Sequence, residues 1–155
     1  MGLMVLASSS PFTDLTALEA RQRSATPLAI TVTAHLRKPY GLAFVLTHES
    51  GPPVEVSESS LPWGIRSNRL VIAVTSGRTI LPENLYIDDP GPGTQRMSKG
   101  MTLRGTVDLA RDFQLLADIA KRQDVIVFWS YVLKTVDGQT LPRTGGFVLI
   151  PKGTS

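Results

Sequence analysis

The sequence predicts an all-β fold, an antiparallel immunoglobulin-like sandwich with one short helix between late strands. Three observations point there. Apolar residues alternate with period two in several short stretches, each closed by a turn signal. Thirteen glycines and eleven prolines favour turns over long helices. Only one later stretch, beginning at Leu109, has strong helical spacing. With 155 residues, 42% hydrophobic and 19% charged, the chain suits one domain with a real core. A small closed barrel with an inserted helix, as in the OB-fold, is the alternative.

The elements follow in order. Residues 1–27 read as a leader. Its apolar start, MGLMVLASSSPF, is too short and uncharged for a complete signal peptide, and residues 13–24 form a brief helix capped by Thr13 or Asp14. The domain is expected over 28–151, with 152–155 as a tail. Leu28, Ile30, Val32, Ala34 and Leu36 alternate as a half-buried strand, and Arg37 to Gly41 turns the chain. Leu42, Phe44 and Leu46 face one side of the next strand. Val54 to Ser57 gives a short edge strand after Pro53. Leu70, Ile72 and Val74 form the next apolar face. Residues 81–101 read mostly as loop, with a short strand at Leu85 to Asp88.

Leu103, Gly105, Val107 and Leu109 then alternate clearly. Leu109, Phe113, Leu116 and Ala120 lie on one helical stripe, with Asp108 as N-cap. In a sandwich this helix crosses from one sheet to the other. Asp124 to Lys134 is the strongest strand. Its two faces, Val125/Val127/Trp129/Tyr131/Leu133 and Ile126/Phe128/Val132, are both apolar, which predicts a central strand covered from two sides. Asp137-Gly138 signals a hairpin turn, and Gly146 to Pro151 is the last strand.

The absence of cysteine excludes disulfides, thiolate metal sites and cysteine nucleophiles. His35 and His48 are the only histidines. His48-Glu49 does not continue into a zinc-binding H-E-x-x-H motif, and a surface or turn role is the expected one for both. No serine-hydrolase elbow or phosphate loop occurs, so no catalytic residue, metal or cofactor is assigned. Asp88-Asp89-Pro90-Gly91 could offer hard oxygens to calcium, but the spacing suits a plain turn better.

The net charge of +3 is local: six cations and three acids fall between Leu61 and Val107, while the rest of the chain balances. Trp63, Arg66, Arg69, Arg78, Arg96 and Lys99 are therefore the candidate binding residues, because tryptophan and arginine dominate interaction hot spots. Trp63 itself either plugs the sandwich end or stands exposed beside Arg66 and Arg69. Aromatics at 6% are too sparse for a nucleic-acid groove, and no apolar run is long enough to span a bilayer.

The succession Phe44-Val45-Leu46, Val54-Glu55-Val56, Leu61-Pro62-Trp63, Leu70-Val71-Ile72 and Lys99-Gly100-Met101-Thr102-Leu103 resembles the layout of bacterial immunoglobulin-like accessory domains. The intracellular proteinase inhibitors of bacilli are similar. The resemblance spans residues 28–109 and implies a non-catalytic protein-binding module, with inhibition as one role; it transfers no functional residue. Two other expectations stand beside it: a small hydrolase with a non-local site around His35 or His48, and a self-assembling subunit whose edge strands pair between copies. The strand-rich composition and apolar start point to a bacterial periplasmic or secreted protein.

Overall fold

The computed structural model describes residues 26–84 and 93–154. The helix expected over 13–24, the strand at Leu85 to Asp88 and the Asp88-Asp89 turn lie outside them. Two three-stranded antiparallel sheets face each other across a common core, beside a two-stranded ribbon. The fold is thus an all-β sandwich with short helices, and its strands divide into separate sheets rather than one closed barrel.

In the first sheet, β2 (Gly41–Ser50) lies between β1 (Ala29–Arg37) and β6 (Thr102–Asp108). The register sets Phe44 between Ala34 and Gly105, and Leu42 between Leu36 and Val107. Small neighbours give Phe44 room to reach across the core, where it meets Trp129 edge to face at 5.3 Å and 83°. In the second sheet, β7 (Val125–Tyr131) lies between β4 (Arg69–Thr75) and β8 (Thr144–Ile150). Val125, Val127, Trp129 and Tyr131 point into the core, as expected. Opposite Trp129 stands Gly146, where an added Cβ would sit 3.3–3.4 Å from the indole ring. The ribbon pairs β3 (Val54–Ser57) with β5 (Thr94–Met97), burying Val54, Val56 and Met97. It is held by a bond from Val136 N–H to the Glu55 carbonyl, at 2.8 Å.

Several expectations need correction. β5 falls inside the segment read mostly as loop; its sequence, TQRM, is too polar and too short for periodicity to reveal. In β4 the buried face is Val71, Ala73 and Thr75, whereas Leu70 is exposed and Ile72 and Val74 only half-buried. Both alternations are largely apolar, and the pairs Val71–Trp129 and Ala73–Val127 bury the smaller set beneath bulky partners. On the outer side of β7, where a covering was expected, Ile126 and Phe128 are exposed.

The single expected helix is two short ones, α1 (Leu109–Asp112) and α2 (Leu116–Ala120). Together they cross from β6 in one sheet to β7 in the other. Asp108 caps α1 as its sequence position suggests, accepting from the N–H groups of Ala110 and Arg111 at 3.0 and 3.2 Å. The break comes at Phe113, whose backbone is extended. The Asp112 carbonyl is taken by the Asn84 N–H at 2.8 Å, and the Leu116 N–H turns to the Phe113 carbonyl. The stripe itself survives the break, since Leu109, Phe113, Leu116 and Ala120 are all buried. Residues 152–154, expected as a tail, are tied to the domain: Gly153 N–H donates to the Ala120 carbonyl, and the Tyr40 hydroxyl to the Thr154 carbonyl, both at 2.7 Å.

Candidate interaction surfaces

The turn after β3 brings Trp63 and Arg69 together. Gly64 N–H donates to the Leu61 carbonyl at 2.7 Å and Arg66 N–H to the Ser59 carbonyl at 2.9 Å, which fixes the loop. A Cβ on Gly105 would come within 2.0–2.5 Å of three atoms of the Trp63 indole, so the ring lies directly over the bare backbone of β6. Half-buried against the core, Trp63 is nearer to the expected plug than to the exposed anchor.

Trp63, Gly64, Ser67, Arg69, Glu83, Asn84, Arg111 and Asp112 line a polar cleft of about 200 Å³. At its base Asp112 is almost fully buried. One of its oxygens meets Arg69 at 3.5 Å and the other meets Arg111 at 3.4 Å. Arg69 also donates to the Pro62 carbonyl, tying the Trp63 loop to the ion cluster. Burial lowers the Arg69 pKa from its ordinary value, against the opposing pull of Asp112. Burial and then the Asp112 charge raise the pKa of Glu83, against the opposing charge of Arg69. Chemically this is a neutralised, hydrogen-bonded cluster that clamps β4, α1 and the 61–67 loop.

The six candidate residues do not form one patch. Arg66 is exposed on the Trp63 loop, but Arg69 is mostly buried. Arg78 lies beyond the far end of β4, about 20 Å of extended strand away from Arg69. It occupies a turn with φ of +63°. Arg96 belongs to the ribbon opposite Glu55, and exposed Lys99 follows in the turn after β5. Asp112, Glu83, Asn84 and Arg111 also line the cleft, and none of them was among the residues that charge and hot-spot composition singled out.

The histidines are also apart. His35 is exposed opposite Ala43, while His48 is fully buried opposite Ile30, five positions along the same ladder. His48 departs from its expected surface or turn role because β2 sends alternate side chains into the core. Its Nε2 donates to the Pro52 carbonyl at 2.9 Å, leaving Nδ1 without a hydrogen-bond partner among the described residues. No group of three or more His, Cys, Asp or Glu among the described residues could hold a metal ion. A second, mainly apolar cavity of about 280 Å³ lies where β1 passes Leu133, Leu141 and Pro142.

The largest anomaly is the outer face of β4–β7–β8. The register builds three rows there: Leu70–Ser130–Gly145, Ile72–Phe128–Phe147, and Val74–Ile126–Leu149. An isolated bridge from Val74 to Ile80 extends the last row. Leu70, Ile80, Ile126, Phe128, Phe147 and Leu149 are each 37–66% exposed. Phe128 and Phe147 touch at a centroid distance of 6.2 Å. At about 200 Å² per fully exposed side chain of this size, the six present about 600 Å² of apolar surface. That is already at the top of the range for the largest patch on an ordinary monomer.

No family model and no curated protein matches the chain. Among solved structures, the crystal structure of a protein provisionally named ApaA from Bordetella pertussis aligns with a TM-score of 0.40 and 11% identity. The alignment covers 84% of this chain and 98% of that one. No helix among the described residues is long and apolar enough to cross a membrane.

Proposed function

We propose that the chain is a non-catalytic protein-binding module, of the immunoglobulin-like accessory kind its strand layout resembles, and that it docks through the outer face of β4–β7–β8. The observation that carries this reading is the exposed apolar surface on the three rows of that sheet. Leaving so much greasy surface in water is costly, and burial against a partner recovers roughly 25 cal/mol per Å² before association costs are subtracted. The polar cleft supports the reading from the other side. Its buried carboxylate is engaged by two guanidinium groups, an arrangement that holds the loop and α1 in place.

The reading is tested by placing a photo-crosslinking phenylalanine analogue at Phe147, and separately at Lys99 as an exposed control, in the native cellular milieu. The expected result is a discrete protein adduct from position 147 and none from position 99. No adduct at 147, or equal adducts at both positions, refutes the docking face.

A further inference from the structure

We infer that the occupant of this apolar face is a second copy of the same chain, packed sheet on sheet about a two-fold axis. The inference rests on the docking reading above and adds the identity of the partner. Three features favour self-association. First, no charged residue stands in the three rows: the outward positions are Leu70, Ile72, Val74, Ile126, Phe128, Ser130, Gly145, Phe147 and Leu149. One guanidinium reaches them from the end of the face, Arg143 donating to the Ser130 hydroxyl at 2.8 Å; a two-fold axis through the Phe128 row keeps the two copies' Arg143 apart, so the apolar rows meet with no like charges opposed. Second, the six well-exposed residues alone supply about 600 Å² per copy, and half-buried Ile72 and Val74 with the rim approach the roughly 800 Å² per partner of a stable interface. Third, stacked sheets interdigitate at about 10 Å, the arrangement already present on the inner face of this same sheet.

Phe128 occupies the middle row of the middle strand. A two-fold axis centred on that residue sets Phe128 of one copy against Phe128 of the other, whether it runs along β7 or across it. Phe147, with its neighbour Phe128, is then a central contact and not a rim residue.

The test uses the full chain. Sedimentation equilibrium and light scattering from about 1 to 100 µM should show a mass near twice 16.8 kDa at the upper end. Phe147→Asp should weaken the dimer at least tenfold; Phe147→Ser is the second variant, and near-UV circular dichroism checks the fold of each. Because the chain has no cysteine, Phe128→Cys gives a single thiol that a short bis-maleimide should join between copies, while Lys99→Cys should not be joined. A monomer across the whole concentration range overturns the inference, as does a dimer indifferent to both Phe147 variants. A monomer whose Phe147 crosslinks to a different protein, or to residues 1–25 of its own chain, overturns the second copy; the different protein alone leaves the protein-docking reading standing. A monomer with no adduct at Phe147 removes both.

Discussion

The Trp63–Gly105 contact allows a prediction whose sign depends on genetic background. In Gly105→Ala the new methyl carbon falls 2.0, 2.4 and 2.5 Å from three indole atoms, far inside van der Waals contact, so Trp63 must move. The indole cannot simply tilt, because its loop is pinned by the Gly64 and Arg66 amides and by Arg69 on the Pro62 carbonyl. Overpacking of this kind costs about 1–3 kcal/mol, or roughly 2–4 °C in Tm for each kcal/mol in a chain of this size. In a Trp63→Ala background nothing of the indole remains to collide. There alanine, which loses less backbone entropy than glycine in a strand, should be neutral or stabilising by about 0.5–1 kcal/mol. The assay is urea unfolding followed by far-UV circular dichroism for the four proteins of the cycle, giving a coupling of about 2 kcal/mol. An equal loss from Gly105→Ala in both backgrounds would refute the packing argument.

Two further outcomes are expected from the polar cleft. Asp112→Ala leaves Arg69 buried without its carboxylate and should cost about 3 kcal/mol, with Asp112→Asn costing less; a urea-derived loss below about 1 kcal/mol would show that the cluster is not clamping the loop. Glu83 ionises at higher pH in the fold than in the unfolded chain, so stability falls as pH rises from the ordinary glutamate value through the raised one. Glu83→Gln should therefore stabilise slightly at neutral pH, by no more than a few tenths of a kcal/mol at so exposed a site. Its advantage should vanish well below the ordinary glutamate pKa, and a constant difference across a pH series of thermal melts would contradict this.

What could be read ahead of the structure was whatever one strand or turn declares by itself. The inward face of β7, the β1–β2 alternation, the Asp108 cap and the Asp137-Gly138 turn each carry a local signature, and each is in place. The misreadings share a cause. In β4 both alternations are apolar, so the choice of face belonged to the pairing with Trp129 and Val127. In the crossing segment, the Asn84 bond to Asp112 interrupts a helix whose apolar stripe is continuous. The apolar outer face of β7 was legible as sequence and wrong as inference, since an apolar face says only that something should cover it. For the cleft, Trp63 and Arg69 stood close enough in the chain to be grouped. Their partners Glu83 and Asp112 arrive from remote segments, and the shared charge of Arg78, Arg96 and Lys99 gave no information about proximity.

The order of strands also bears on how the chain reaches this state. Among the strands of the described residues, only β1–β2 and β7–β8 pair neighbours in sequence; β2–β6 and β4–β7 join residues fifty or more positions apart. Two hairpins can therefore form early, one at each end of the described chain, while each sheet waits for a third strand from the middle. Closing loops of that length before any contact rewards them makes for a folding time of milliseconds to seconds, typical of sandwiches. During that wait the β7–β8 hairpin shows water both its future core face and the Phe128–Phe147 face. Crowded nascent chains thus meet through apolar strands before either sheet is complete.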